Sequence, residues 1–138
     1  MSTQRGRCSC GAVTFTAENV ESEFGACHCR MCQRWSGGIF LATSAHGLKI
    51  DGEEHISRYQ SSSWAERGFC GKCGSHLFYR ALKSGQYEMC VGTFDDQSEF
   101  KLTTEIFIDR KPDSYEFAGD HERLTEAETL KKYADYTE

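Results

Sequence analysis

The stretch ERGFCGKCGSHLFY, residues 66–79, sets Cys70 and Cys73 between glycines and then runs into an apolar, aromatic segment. Gly71 and Gly74 permit a tight backbone turn that can aim amide N–H groups at thiolates, which gives CGKCG the look of a zinc knuckle. Structural zinc prefers four thiolates, usually supplied as two close pairs that the fold brings together. Cys8 and Cys10, in CSC ahead of Gly11, are the natural second pair. Residues 11–69 separate the pairs, but loop-closure entropy grows only logarithmically with length. A Cys8–Cys10–Cys70–Cys73 site would tie the first strand to a hairpin in mid-chain.

That partition leaves Cys27, Cys29 and Cys32, in CHCRMC, as a three-thiolate set. Catalytic zinc typically has three protein ligands and an open position for water or substrate. Spacing alone leaves other arrangements open: His28, His76 or Cys90 closing this site, or CGKC pairing with Cys27 and Cys29. His28 neighbours both cysteines of a C-x-C, so its side chain is expected to point away from a shared metal. Cys90 is expected to lie mid-strand as a small core or sheet-face residue.

Eight cysteines in 138 residues need such an explanation. The opening MSTQRGRC lacks the apolar core of a signal peptide, so a reducing, cytoplasmic setting is expected, where thiols serve metals rather than a disulfide framework. The longest aliphatic–aromatic run, Ile39 to Ala42, is far short of the ~20 residues a membrane helix needs. A net charge of −5 with scattered Lys and Arg disfavours a nucleic-acid partner. The length and globular composition predict one domain over residues 1–138, and a homo-oligomer is compatible with both.

Most of the chain reads as short strands between glycine-marked turns. In AVTFTA, Val13 and Phe15 alternate with Thr14 and Thr16; in QYEMCVGT, Tyr87, Met89 and Val91 oppose Glu88 and Cys90. HLFYR, EIFID and SYEFA are further candidates. Gly37 and Gly38 should stop any helix entering from CHCRMCQRWS, which predicts a loop or a single helical turn there. At the C-terminus, Thr125 and Glu128 fit a capping box, and Ala127, Leu130 and Ala134 follow at helical spacing. A short helix from about Glu126 to Tyr136 is expected, packed on the sheet or on a partner.

Taken in order, GRCSCGAVTF, ACHCRMCQRWSGGIF, ERGFCGKCGSHLFY, VGTFDD and EIFIDRKPDSYEF resemble the glutathione-dependent formaldehyde-activating enzymes, whose domain also occurs in centromere protein V-like proteins. The resemblance covers about residues 6–118. It implies a mainly β fold, a β-tent of small antiparallel sheets organised around a structural zinc. It also implies that Cys8, Cys10, Cys70 and Cys73 hold that zinc, and that Cys27, Cys29 and Cys32 are both ligands of a second, catalytic-type zinc and the catalytic set. The implied activity is that of a carbon–sulfur lyase or synthase, forming or breaking S-hydroxymethylglutathione or a related adduct of a small-molecule thiol. A non-enzymatic zinc module that binds a protein partner is the alternative. An enzyme needs the three-cysteine site open; a module does not.

The residues flanking the motifs read more plainly. Arg30, Arg34, Arg67 and Lys72 could meet the carboxylates of glutathione, but surface charge explains each. Asp95 and Asp96 read as turn residues, with a base near the second zinc as the other role. Trp35 and Phe40 read as walls of the second site or as core.

Overall fold

The computed structural model describes residues 2–134. Within them the chain forms β1 (Ser2–Arg7), β2 (Thr14–Val20), β3 (Glu23–Cys27), α1 (Arg30–Ser36) and β4 (Phe40–Asp51). There follow β5 (Ile56–Tyr59), β6 (Ala65–Cys70), β7 (His76–Ala81), β8 (Tyr87–Cys90), β9 (Lys101–Ile106), β10 (Glu122–Arg123) and α2 (Glu126–Lys132). The protein is therefore mainly β with a short C-terminal helix, as expected.

The alternation in AVTFTA produces what it predicts. Val13, Phe15, Ala17 and Val20 are buried, while Thr14 and Thr16 are half-buried. They join Ala45, Leu77, Phe78, Met89 and Phe94 in one core that also takes in Cys8 and Cys70. Each large apolar side chain buried there stabilises the fold by roughly 1.5–3 kcal/mol.

The strands join in a single hydrogen-bonded network in the order β10-β9-β3-β4-β8-β7-β6-β5, with the β1–β2 hairpin branching off β4. The long β4 makes this possible. On one edge, Phe40–Ala42 pairs with β3 and Ala45–Asp51 pairs with β2; on the other edge, Ala42–Ala45 pairs with β8. β9 runs parallel to both β3 and β10. The branch carries the end of β1 towards the β6–β7 turn, where Ser9 meets Ser75, and the β3–β9 pairing places Ile106 beside Cys27.

Three local expectations change. CHCRMCQRWS forms a two-turn helix, α1, rather than a loop or single turn, because Cys29 caps its start and Gly37 only closes its end. Gly37 does so at φ 76, donating its N–H to the Gln33 carbonyl. SYEFA is not a strand: residues 114–118 run without regular structure, and Tyr115 and Phe117 lay their rings against His28. The capping box of Thr125 and Glu128 is present, but α2 buries Thr129, while Ala127, Leu130 and Ala134 are exposed. The reason is that α2 is anchored by polar contacts. Residues 135 and 136 of the expected helix lie outside the described residues.

Candidate metal centres and the cleft beside them

The four sulfurs of Cys8, Cys10, Cys70 and Cys73 lie within 4.8 Å of one another. Cys8 and Cys10 occupy the turn after β1, Cys70 ends β6, and Cys73 lies in the turn before β7. Sγ–Sγ separations are 3.7 Å for Cys8–Cys10 and 3.8 Å for Cys10–Cys70. A tetrahedron with Zn–S arms of about 2.3 Å has edges of about 3.8 Å, whereas a disulfide needs about 2.05 Å. The donor set therefore fits a zinc ion.

The two turns are tied directly. Ser75 Oγ accepts the Ser9 N–H at 2.9 Å and lies 3.2 Å from Cys73 Sγ. Hydrogen bonds from the Ser75 side chain and backbone, with the Cys10 amide, pull the Cys73 thiol down to about 5. The glycines act differently from the expectation. The Gly71 N–H goes to the His55 carbonyl and the Gly74 N–H to the Cys70 carbonyl, so neither of these hydrogen bonds goes to sulfur. Of the surrounding amides, Val13 N–H donates to Cys8 Sγ at 3.4 Å.

Cys27, Cys29 and Cys32 form the second group, again with sulfurs within 4.8 Å of each other. Cys27 ends β3, Cys29 caps α1 by accepting the Cys32 N–H at 3.3 Å, and Cys32 is buried on α1. The Cys27 and Cys32 thiols, the Cys32 amide and the Arg67 guanidinium hold the Cys29 thiol well below the ordinary thiol range.

His28 turns away from this group, as its position between the cysteines requires. Its ring is 0% exposed and Nε2 lies 2.7 Å from Glu105 Oε1. Cys90 joins neither group; burial pushes its thiol up to about 12. His76 likewise stays out, stacking on Trp35 with ring centroids 4.6 Å apart. Asp96 Oδ1 accepts the Ser98 N–H, and both Asp95 and Asp96 are exposed turn residues. Phe40 is buried and borders the second group; Trp35 instead pins α1 to β5 and β7 through Tyr59 and His76.

A cleft of about 1060 Å³ opens on the second group. Arg67 forms part of its lining and is only 2% exposed, which overturns the reading of Arg67 as surface charge. Its guanidinium lies over the rings of Phe40 (5.5 Å) and Tyr79 (5.3 Å). Nη2 donates to Cys32 Sγ at 3.4 Å and Nε to Ser61 Oγ at 3.1 Å, while Nη1 is buried without a partner. Arg30, Arg34 and Lys72 are exposed, as expected. Nothing in the sequence marks Glu88 or Glu105 as a functional residue. Each sits in a strand segment whose pattern says only that it alternates.

A mainly β chain thus gathers seven cysteines into a four-sulfur and a three-sulfur group, each of which could hold a metal ion, and the second opens on a cleft. The sequence model described as glutathione-dependent formaldehyde-activating enzyme matches residues 3–110, and the chain belongs to that family. It is similar to a Schizosaccharomyces pombe protein named as an uncharacterized lyase, 32% identical over 134 residues covering 95% of this chain and 97% of the relative. A crystal structure of a Rhodobacter sphaeroides protein is similar at a TM-score of 0.58 and 25% identity, covering 72% of this chain and 99% of that one. Among the described residues no helix is long and apolar enough to cross a membrane.

Proposed function

We propose that the chain is a carbon–sulfur lyase of the glutathione-dependent formaldehyde-activating type, making and breaking S-hydroxymethylglutathione or a related thiol adduct. One observation carries this reading. Among the described residues no fourth cysteine, histidine or carboxylate completes the Cys27–Cys29–Cys32 group, and the cleft opens there. The relative named as a lyase supports the same direction.

In this reading Cys8, Cys10, Cys70 and Cys73 hold a structural zinc, and Cys27, Cys29 and Cys32 hold a second one. A zinc ion in the second place would supply a Lewis acid with an open coordination position. The chain's own residues do the rest. The Arg67 guanidinium balances negative charge gathered by the thiolates, and the rings of Phe40 and Tyr79 shield that pair from water. In the forward direction the sulfur of the incoming thiol adds to the aldehyde carbon. A C–S bond forms, the thiol gives up its S–H proton, the carbonyl π pair moves to oxygen, and that oxygen takes up one proton, so the step is balanced overall. The reverse step returns the thiol and the aldehyde.

The test is spectroscopic. With cobalt in both centres, glutathione should change the thiolate charge-transfer bands of the wild type and leave those of Cys29→Ser unchanged. A wild-type spectrum that does not respond, or an equal response in Cys29→Ser, would favour a non-enzymatic binding module instead.

A further inference from the structure

His28, between Cys27 and Cys29, has a neighbour at each of its polar atoms. Its N–H donates to the Ile106 carbonyl at 3.0 Å, and its own carbonyl accepts Gln33 Nε2 at 2.6 Å. On the ring, Nε2 lies 2.7 Å from Glu105 Oε1 and Nδ1 lies 3.5 Å from Tyr115 Oη. The rings of Tyr115 and Phe117 pack beside it. Neither His28 nor Glu105 borders the cleft, and neither belongs to a cysteine group.

Glu105 is held as firmly. It stands on β9 opposite Ala26, the residue before Cys27. Its second oxygen meets His121 Nε2 at 2.5 Å and Arg123 Nε at 3.1 Å. Arg123 Nη2 donates to the Phe117 and Gly119 carbonyls, so residues 117–123 wrap the carboxylate and leave it 1% exposed. A buried carboxylate is tolerated only with such partners, and a fully partnered one keeps a fixed place. None of these contacts reaches the four-sulfur group, whose turns are tied through Ser9, Val13 and Ser75.

We propose that Glu105, acting through His28, is a positioning residue of the three-cysteine centre and sets the affinity of that centre for zinc. This rests on the reading that Cys27, Cys29 and Cys32 hold a second zinc. Cys27 ends β3, and Cys29 is still extended at φ −63 and ψ 155. Side chains alternate along extended chain, so fixing His28 on one side sends both neighbouring sulfurs to the other. Three thiolates repel one another until a cation joins them. A C-x-C free to rotate would splay, and ordering it again at each binding event would weaken the site.

The experiment titrates the zinc-loaded protein with a chromophoric chelator, which compares the two centres within one molecule. Glu105→Gln and His28→Phe should each weaken the second zinc by about 10–100-fold, the size expected when a partner that orients ligands is lost. The first zinc should keep its wild-type affinity, and circular dichroism its wild-type form. Because the two residues act as one unit, the double variant should be no weaker than the worse single within about threefold. Where one single variant fails to fold, the other decides. A second zinc held as tightly as in the wild type, or losses that multiply in the double variant, overturn the positioning role and leave the lyase reading standing. Equal weakening of both zincs, or unfolding of both single variants, also overturns it, since the pair then supports the fold as a whole. A wild type that binds a single zinc removes the second centre and the positioning role together.

Discussion

His28 Nε2 lies 2.7 Å from Glu105 Oε1, and both side chains are shut off from solvent. Glu105 also receives His121 Nε2 at 2.5 Å and Arg123 Nε at 3.1 Å. One carboxylate thus joins the residue between two metal-type cysteines to the segment that follows β9. Because His28 is held on that side, Cys27 and Cys29 project together on the other.

Burial raises the Glu105 carboxyl, but hydrogen bonds from His121 and His28 outweigh it and leave the pKa below its ordinary value. A lowered folded pKa means that this stabilisation is complete above the ordinary carboxylate range. It is lost as pH falls through the lowered value. Glu105→Gln should destabilise the protein by about 1.5–3 kcal/mol near pH 7. In denaturant titrations the gap from wild type should narrow as pH falls below the ordinary glutamate value of about 4.3. A gap that persists unchanged at the lower pH would refute a charge-based role for Glu105.

The two cysteine groups should differ in what they do for folding. Structural zinc binding is coupled to folding, with apparent free energies of about 10–16 kcal/mol in small zinc peptides. Cys70→Ser and Cys10→Ser should be unfolded or insoluble, whereas Cys29→Ser should fold and bind one zinc fewer. Circular dichroism and metal analysis decide this. If Cys29→Ser unfolds as completely as Cys70→Ser, the roles of the groups are wrongly divided.

Thr129 anchors α2 through one hydroxyl. It donates to the Thr125 carbonyl at 2.7 Å and accepts the Phe107 N–H at 3.3 Å. Phe107 has φ 56, a left-handed conformation that few residues other than glycine adopt. Thr129→Val keeps the shape and removes the acceptor, so it should cost about 1–3 kcal/mol. Faster hydrogen exchange should be confined to the neighbourhood of Phe107 and α2; exchange that stays at the wild-type rate there would show the contact to be dispensable.

Cys90 should be inert in the folded, zinc-loaded protein. Burial pushes its thiol up to about 12, and it belongs to neither metal group, so metal does not account for its protection. Iodoacetamide at about pH 8 should leave it unmodified, because the thiolate is the reacting form. It should be labelled once denaturant is added. Rapid labelling of Cys90 without denaturant, read by mass spectrometry, would contradict this.

Spacing made much of this protein legible. Cysteines separated by one or two residues share a turn, so their local order already paired Cys8 with Cys10 and Cys70 with Cys73, and set Cys27, Cys29 and Cys32 apart. The alternation around Phe15 and the capping box at Thr125 are likewise local, and each appears as read. What these have in common is short range: backbone geometry over a few residues determines where the side chains go.

The tertiary structure alone decided which charged residues are buried and what they meet. Arg67 lies three positions before a metal-type cysteine and looks no different in sequence from Lys72, yet one is buried and the other exposed. The difference arises because Arg67 lies against the Phe40 and Tyr79 rings and donates to Cys32 Sγ, which is 35 positions away in the chain. Glu105 meets His28 across 77 positions, and Glu88 faces Ser44 across 44. No local pattern encodes such pairings: they follow from strand order and register, which the whole set of long-range contacts determines together.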